Sequence, residues 1–456
     1  MLNPPDFVPV ITGYLPAIGF AAGSIAVTAT VLPATRYIRA DKDVRRSIRR
    51  AYVIRRGWAS LATMSGLTVT KEPSQLSMAA SQLGEKQQQP KARKIYPAIK
   101  TRPDRFGFTV TARTLPKVGL TQWQAAEEDL RNGWRVERVK ITQPKPGLVA
   151  VRAFMREPLE AVVHSGLVDQ TGKLHVKPGS LRANSEILLG HTEDGEPVTI
   201  NLATGSHGAI QGVTRSGKSN TANTIFAHAA LMPDVRMVIV DPNLGSVAPW
   251  WRTAHTVSAS SSPEEACTVL EELRAEMERR QGIFWAARTD KLVDFTPEMP
   301  LILLAVDEVS NFTNWPDRKL ADRFRMLLQA VTSQGHKFGI RVWLLGQKLE
   351  ANVLNTATRT NLTSRICHRV DTVEDYLHMF PDGRHLEVTA AERSMPEGVG
   401  IASVPGLVTP SRMRSVYLPA EHCWAIADAI VEVSGEVRPL PAPKLTLAKE
   451  AALRAA

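Results

Sequence analysis

The sequence predicts an α/β fold whose core is an open, mostly parallel β-sheet. From residue 187 to residue 418, short apolar strands alternate with segments of helical periodicity, which is the pattern of such sheets. A glycine-rich loop, Gly212–Ser219, lies in this region, and so does an apolar strand that ends in the two carboxylates Asp307 and Glu308. These three observations together predict a nucleotide site at the carboxyl edge of the sheet.

The loop Gly212-Val-Thr-Arg-Ser-Gly-Lys-Ser219 fits the G-x-x-x-x-G-K-S pattern that surrounds nucleotide phosphates. Gly212 and Gly217 let backbone amides converge on phosphate oxygens, and Lys218 brings a positive charge to the β and γ phosphates. The Ser219 hydroxyl is the expected Mg²⁺ ligand. Strand 207–211 before the loop and helix 219–232 after it supply the required context. The residues expected to bind ATP are Gly212, Val213, Thr214, Arg215, Ser216, Gly217, Lys218, Ser219 and Asn220.

The second part of the predicted site follows the apolar strand 301–306. Two buried acids at a strand end are costly unless a cation pairs with them, so Asp307 is the expected Mg²⁺ ligand. Glu308 is then the candidate base that orients the attacking water. Gln347 ends the next predicted strand and could contact the γ phosphate or that water, although a glutamine there is also common as a plain loop residue. The expected chemistry is ATP hydrolysis with Mg²⁺.

Composition narrows the classes of partner. The formal net charge of +11 favours an anionic partner such as nucleic acid or an acidic membrane surface, although a basic protein without such a partner has the same charge. Cys267, Cys367 and Cys423 lie far apart and lack the spacing of a zinc site. They fit small core residues in a reducing cytosol.

The amino terminus carries an uncharged, largely apolar run over residues 7–35, which is long enough to cross a bilayer once. Arginines cluster directly after it, between Arg36 and Arg56, and the positive-inside rule then places the remainder of the chain in the cytoplasm. The expected localisation is the cell membrane, as a single-pass protein. A buried core helix is the alternative explanation of the run, and the arginines could contact lipid headgroups or DNA.

Changes in composition divide the chain into five segments. We expect a transmembrane segment over 1–35 and a basic juxtamembrane region with a linker over 36–94. A small α/β domain over 95–186 precedes the ATPase core over 187–418. A helix and a proline-rich tail occupy 419–456.

Further short motifs surround the nucleotide site at fixed places. They are Leu189-Gly190, Gly195-Glu-Pro-Val198, Asp241-Pro242, Glu276-Met-Glu-Arg-Arg280 and Arg359-x-Asn361-x-x-x-Arg365. With the phosphate loop and the paired acids, they resemble the FtsK/SpoIIIE family of double-stranded DNA translocases over roughly residues 95–418. Asn243 departs from the family, which usually has lysine there, and Lys348-Leu349 replaces its arginine-proline.

The resemblance implies a RecA-like P-loop ATPase core with a smaller α/β ring domain, assembled as a homo-oligomeric ring, generally a hexamer, around duplex DNA. ATP would lie between subunits, and Arg365 is the candidate arginine that reaches a neighbour's site, with a structural ion pair as its alternative role. The short amino terminus is most similar to the TraB-like conjugative translocases of actinobacterial plasmids. This implies a membrane-anchored DNA pump in conjugative plasmid transfer, with other plasmid transfer proteins as further partners.

Other functions fit parts of the same pattern. One is a secretion coupling ATPase that hands single-stranded DNA and its relaxase to a channel, and another is a chromosome-segregation translocase. A third is a membrane scaffold that binds nucleotide without hydrolysing it. Lysines and arginines within 317–337 are candidates for phosphate contacts, which a solvated helix face explains equally well.

Overall fold

The computed structural model describes residues 37–38, 40–73, 92–169, 171–243, 245, 247–349, 353, 355–380 and 395–434. The chain divides into two compact units, Met1–Glu157 and Pro158–Ala456. We call them the small unit and the large unit.

The described part of the small unit contains short helices and antiparallel strands. Its elements are α1 (Lys42–Met64), β1 (Val69–Lys71), β2 (Arg93–Ile95), β3 (Ile99–Pro103), β4 (Gly107–Arg113), α2 (Leu120–Ala125), α3 (Glu127–Trp134), β5 (Arg138–Lys145) and β6 (Leu148–Phe154). Strands β3-β4-β6-β5, in that order, form a four-stranded antiparallel sheet, and β1 pairs with β2 separately. Helix α1 contacts β3 and β4, whereas α2 and α3 contact β5.

Three tryptophans, one from each helix, form the centre of the small unit's core. The ring centroid of Trp58 in α1 lies 5.7 Å from that of Trp123 and 6.3 Å from that of Trp134. Phe108 of β4 meets Trp134 edge-on at 5.7 Å. All four side chains are almost fully buried. One face of the sheet is therefore closed by a dense aromatic core.

Helix α1 belongs to this core although its sequence is rich in arginine. The Asp41 carboxylate caps the helix by accepting a hydrogen bond from the Val44 amide at 2.8 Å. Its buried side chains recur at helical spacing, which turns the arginines outward. They are Ser47, Ala51, Ile54, Trp58 and Ala62. The sequence predicts a juxtamembrane region and linker over residues 36–94. In the structure, residues 42–64 of this segment form a helix that packs into the core.

The expected localisation in the cell membrane needs correction. Within the described ranges, none of the helices combines the length and the apolar character that a bilayer crossing requires. The apolar run at residues 7–35, on which the expectation of a transmembrane helix rests, lies outside the described residues. Membrane localisation is therefore not supported.

The large unit contains the remaining described elements. They are β7 (Glu186–Thr192), β8 (Pro197–Asn201), β9 (His207–Gln211), α4 (Lys218–Ala230), β10 (Val235–Val240), a 3₁₀ helix (Ala248–Arg252), β11 (Thr256–Ser258), α5 (Pro263–Ala287), β12 (Leu301–Val306), α6 (Ser310–Thr313), α7 (Arg318–Gln334), β13 (Ile340–Gly346), α8 (Thr356–Asn361), β14 (Leu362–His368), α9 (Val373–Met379), β15 (Val399–Ser403), β16 (Ser411–Ser415) and α10 (Ala420–Ser434).

Ten strands of the large unit form one mixed sheet in the order β11-β10-β12-β13-β9-β14-β15-β16-β7-β8. The six strands from β11 to β14 run parallel, and the four from β15 to β8 extend the sheet antiparallel. The predicted α/β class is confirmed, but the sheet is less parallel than expected. Short connections such as that between β15 and β16 cannot carry a crossover helix, so they join antiparallel strands.

Helices cover both faces of the parallel half of the sheet. Successive residues of β12 therefore enter different cores: Leu303 packs with residues of α4 and α10, whereas Leu304 packs with residues of α5 and α7. Every residue of β9, β12 and β13 is buried. Burial on both faces explains why the sequences of these strands are continuous apolar runs. The carboxyl ends of the strands are then the edge of the sheet at which a ligand can bind.

Candidate nucleotide site

The phosphate loop leaves β9 at the centre of the carboxyl edge and opens α4. It is held by the strands on either side of β9. The Gly212 amide donates to the carbonyl of Gly346, the last residue of β13, at 3.2 Å, and the Val213 amide donates to the carbonyl of Arg369, just after β14, at 3.0 Å. These two bonds fix the position at which the loop leaves the sheet. Backbone amides in the remainder of the loop and the first turn of α4 can therefore converge on an anion.

Gly217 is required by the backbone at the point where the loop becomes helix. Its φ is 109°, a left-handed conformation that glycine adopts without strain. A Cβ atom at this position would lie 2.7 Å from the backbone of Gly398. The neighbouring residue Gly398 also donates its amide to the Ser216 carbonyl at 2.9 Å. The loop is thus packed tightly against the chain that enters β15.

Lys218 and the two acids predicted from β12 come together in the structure. The Lys218 Nζ atom lies 2.8 Å from Glu308 Oε2 and 3.9 Å from Asp307 Oδ1. The side chains of the three residues are between 6% and 13% exposed, so this cluster is largely shielded from water. The lysine charge offsets the cost of burying two neighbouring carboxylates.

Glu308 is held at this place by its backbone conformation and by two further contacts. Its φ of 39° lies in the left-handed region, which residues with a side chain rarely adopt. Glu308 Oε1 accepts hydrogen bonds from the Gln347 amide at 2.9 Å and from the Ser310 hydroxyl at 3.4 Å. Gln347 therefore reaches the site through its backbone, while the residue itself is exposed.

Two residues near Lys218 offer oxygen ligands for a magnesium ion. Ser219 is exposed in the first turn of α4, and Asp307 ends β12. Magnesium commonly binds one or two protein oxygen ligands and completes its shell with water and phosphate, so this donor set fits it. A bound Mg²⁺ would neutralise charge that develops on the phosphates.

Asn220, which sequence analysis places among the ATP-binding residues, has a side chain that connects two parts of the fold. Its Nδ2 donates to the Val416 carbonyl at 2.6 Å, and its Oδ1 accepts from the Leu418 amide at 2.8 Å. The side chain thus ties α4 to the segment after β16. Thr214 and Arg215 are exposed at the tip of the loop.

Arg365 lies within β14, paired in register with Ala209 of β9. Its guanidinium donates to three backbone carbonyls of its own chain, those of Leu362 at 2.7 Å, Arg359 at 2.9 Å and Met379 at 3.0 Å. Arg365 thus contacts its own chain through backbone carbonyls, and its role at a neighbour's site stays a prediction.

The cations predicted for phosphate contacts in 317–337 are in part neutralised by nearby carboxylates. In α7, Arg323 pairs with Glu271 at 2.6 Å, and Arg325 pairs with Asp322 at 2.6 Å. Lys319 and Lys337 remain exposed. The charge that this segment offers to DNA is therefore smaller than its sequence suggests.

A buried polar network lies next to the phosphate loop, and the sequence does not predict it. His368 ends β14, and its Nε2 atom lies 2.8 Å from the Thr221 hydroxyl in α4. The Thr221 hydroxyl also contacts the Ser415 hydroxyl of β16 at 2.7 Å, and His368 Nδ1 contacts the Val399 carbonyl at 3.3 Å. In the sequence, β14 is marked only by the short string Ile366-Cys-His368. It lacks the long apolar run that makes the neighbouring strands easy to predict.

The network joins four elements of the large unit: α4, β14, β15 and β16. The His368 side chain also fills the space beside Gly212 and Gly217, since a Cβ on either would contact it. Burial lowers the pKa of His368 to about 4, so the imidazole is neutral at pH 7 and can both accept and donate hydrogen bonds.

A cavity of about 270 Å³ opens beside the first turn of α4. Gly217 and Asn220 form one side of it, and Glu397, Arg414 and Tyr417 lie among the residues of the other side. Tyr417 is 45% exposed, so its ring is accessible. The cavity is adjacent to the phosphate loop and combines an aromatic ring with charged groups.

Comparison with known proteins identifies two matching regions. Residues 177–365 match the FtsK/SpoIIIE family, and residues 45–155 match the N-terminal domain of the actinomycete conjugal transfer protein. The first region contains the phosphate loop, both acids and Gln347. The second lies within the small unit.

Curated relatives are more distant and much longer. The chain is 24% identical over 341 residues to the DNA translocase FtsK of Mycobacterium tuberculosis (strain ATCC 25618 / H37Rv), an alignment that covers 70% of this chain and 39% of the relative. It is 23% identical over 313 residues to the DNA translocase FtsK of Staphylococcus aureus (strain MRSA252), with 64% and 38% covered. The chain thus spans about two fifths of the length of these relatives.

Among solved structures, the pCW3 conjugation coupling protein TcpA, in its monomer form with ATPγS, is similar to this chain. The TM-score is 0.50 at 14% identity, over 75% of this chain and 94% of that chain. At this identity the likeness shows the fold alone.

The His368 network predicts how stability depends on pH. Because the folded-state pKa of about 4 lies below the ordinary value of 6.5, the unfolded chain binds more protons between these two values. The free energy of unfolding should therefore decrease as the pH falls from 6.5 towards 4, with this residue contributing up to about 1.4 kcal/mol per pH unit. His368→Gln should lower stability at pH 7 and weaken that dependence, as measured by urea unfolding at pH 7, 6 and 5.

His207, whose pKa burial lowers to about 3, keeps part of the slope in the variant. Equal slopes for the wild type and His368→Gln would show that the network does not respond to protonation in this range.

Proposed function

We propose that this chain, which carries an FtsK/SpoIIIE family domain and an actinomycete conjugal transfer N-terminal domain, is an ATP-driven translocase of double-stranded DNA in conjugative plasmid transfer. The observation that carries the proposal is the convergence of Lys218, Asp307 and Glu308 beside the phosphate loop. A phosphate-binding lysine, a magnesium-binding carboxylate and a water-activating carboxylate are the groups that phosphoryl transfer to water needs.

The residues have distinct roles in this reaction. Lys218 moves from Glu308 to the β and γ phosphates of the arriving ATP, because the phosphates together carry more negative charge than one carboxylate. Glu308 is then free to accept a hydrogen bond from the attacking water. The Gln347 amide keeps the Glu308 carboxylate in place through Oε1, which leaves Oε2 for the water. Positioning and charge supply the catalysis, and no covalent intermediate is needed.

The cavity beside α4 is the proposed site of the nucleoside. It adjoins Gly217, so a nucleotide whose phosphates occupy the loop would reach it with its ribose and base. The accessible Tyr417 ring offers a stacking surface to the base. Glu397 and Arg414 can form hydrogen bonds with the ribose and the base.

Several observations support duplex DNA as the substrate. The curated relatives are named as DNA translocases, and one of the two matching regions is described as the N-terminal domain of an actinomycete conjugal transfer protein. The net charge of +11 suits a polyanion. The proposed assembly is a homo-oligomeric ring, generally a hexamer in this family, with ATP bound near the contact between subunits.

Replacing Glu308 by glutamine should separate ATP binding from hydrolysis. The change keeps the shape and removes the charge, so ATP turnover should fall at least about a hundredfold while the dissociation constant for ATP changes only a fewfold. Steady-state turnover and equilibrium titration with a fluorescent ATP analogue measure the two quantities.

The control for this substitution is Glu278→Gln, which neutralises an exposed carboxylate on α5 and should leave both quantities unchanged. Normal turnover in Glu308→Gln would exclude Glu308 as the base.

Tyr417→Ala should weaken nucleotide binding without affecting the chemical step. Loss of one stacked base typically costs about 1–3 kcal/mol, so the KM for ATP should rise about tenfold while kcat stays within about twofold. Tyr417→Phe keeps the ring and should behave like the wild type. An unchanged KM in Tyr417→Ala would place the base elsewhere.

Duplex DNA of any sequence should stimulate ATP turnover by the full chain, because phosphate contacts are independent of sequence. The stimulation should weaken as salt rises and should be absent in Lys218→Ala. Stronger stimulation by single-stranded DNA would favour the coupling ATPase instead. Turnover that ignores DNA altogether would contradict the translocase proposal.

A further inference from the structure

The four-stranded sheet of the small unit has two unlike faces. The face towards α1, α2 and α3 carries the apolar core, including Phe108, Val110 and Val151 together with the tryptophans. Successive residues along each strand alternate between the two faces, and residues paired across neighbouring strands share a face, so the opposite face carries the remaining side chains. We call this opposite side the open face.

One complete row of cross-strand neighbours on the open face is mainly cationic. Arg102 of β3 lies opposite Thr109 of β4, which lies opposite Arg152 of β6, which lies opposite Lys140 of β5. The next row contains Lys100 opposite Thr111. With strands about 4.8 Å apart, the row from Arg102 to Lys140 crosses roughly 14 Å of rigid sheet.

No carboxylate interrupts these strands. Strands β3, β4, β5 and β6 contain seven lysines and arginines and no aspartate or glutamate. Two of the arginines are paired with acids just outside the strands: Arg152 with Asp104 at 2.6 Å and Arg138 with Glu157 at 2.8 Å. Lys100, Arg102 and Lys140 are exposed. The ammonium and guanidinium groups of these three exposed side chains therefore lie where a ligand can reach them.

The open face carries cations at regular positions, which suits a ligand with regularly spaced negative charges. Thr109, Thr111 and Ala150 form the centre of the open face. Because these side chains are short, the longer lysine and arginine side chains extend further from the sheet. Its aromatic residue, Phe154, is fully buried beneath the guanidinium groups of Arg138 and Arg152, which lie 3.9 and 4.7 Å from its ring centroid. The described strands thus offer no exposed ring on which an unpaired base could stack, as single-strand binding requires.

We propose that the open face of the small unit binds the phosphate backbone of duplex DNA. This inference rests on the proposed function and adds a second DNA contact outside the ATPase core. The binding is electrostatic and independent of sequence, with Lys100, Arg102 and Lys140 as the principal contacts. Its purpose is to hold the duplex while the contacts made by the large unit change during the ATP cycle.

The test is fluorescence anisotropy of the full chain with a labelled 40-bp duplex of mixed sequence at several salt concentrations. The triple variant Lys100→Gln/Arg102→Gln/Lys140→Gln should bind about ten- to a hundredfold more weakly at 0.1 M salt. The slope of log K against log salt should become shallower by about 3, since each lost phosphate contact removes roughly 0.9. ATP turnover without DNA should be unchanged in this variant.

Two matched variants show whether position matters as well as charge. Arg46→Gln/Arg49→Gln/Arg55→Gln removes the same charge from exposed positions on α1 and should leave affinity and salt slope close to the wild type. The charge-conserving variant Lys100→Arg/Arg102→Lys/Lys140→Arg should also bind like the wild type. An equal loss in the α1 variant would overturn the assignment to the open face.

The outcomes distinguish this inference from the proposed function. If the wild type binds duplex and the open-face variant binds equally well, the inference fails and the translocase proposal stands. If the wild type does not bind duplex at all, both fail. Tighter wild-type binding of single-stranded DNA, or of a polyglutamate chain of equal charge, lost in the open-face variant, would overturn the choice of duplex DNA as the ligand.

Discussion

The large unit depends on the meeting of Lys218 with Glu308, whose charged atoms lie 2.8 Å apart in a largely shielded position. The two residues are 90 positions apart in the sequence and come together because β9 and β12 both end at the carboxyl edge, separated only by β13. The strand order therefore creates the site. Removing one partner from such a pair typically costs about 3–5 kcal/mol. Under the proposed function, the phosphates of ATP would replace the carboxylate as the lysine's partner.

The sequence alone revealed the parts of this arrangement that have local signals. The phosphate loop follows a fixed spacing, and strand 301–306 is a continuous apolar run because helices cover both of its faces. For both features the predicted and observed bounds agree: the strand before the loop is 207–211 in each case. Burial on both faces is thus the physical reason that the central strands of the sheet can be predicted from the sequence.

Other features could not be read because their signals are not local. Strand β14 contains Thr363, Ser364 and Arg365, since it borders the antiparallel half of the sheet and carries the polar network of His368. Helix α1 has the charge pattern of a juxtamembrane segment, yet Ile54 and Trp58 pack it into the core of the small unit. For both β14 and α1, tertiary contacts determine a structural role that the amino-acid composition of the segment does not indicate.

The contacts of Glu308 connect the arrival of ATP with the activation of water. One carboxylate oxygen of Glu308 accepts a hydrogen bond from the Gln347 amide, and the other pairs with Lys218. When phosphate draws Lys218 away, Oε2 loses its partner while Oε1 keeps its own, so the carboxylate stays in place with one oxygen open to water. Under the proposed function, the same lysine that binds the phosphates therefore determines when the base can act.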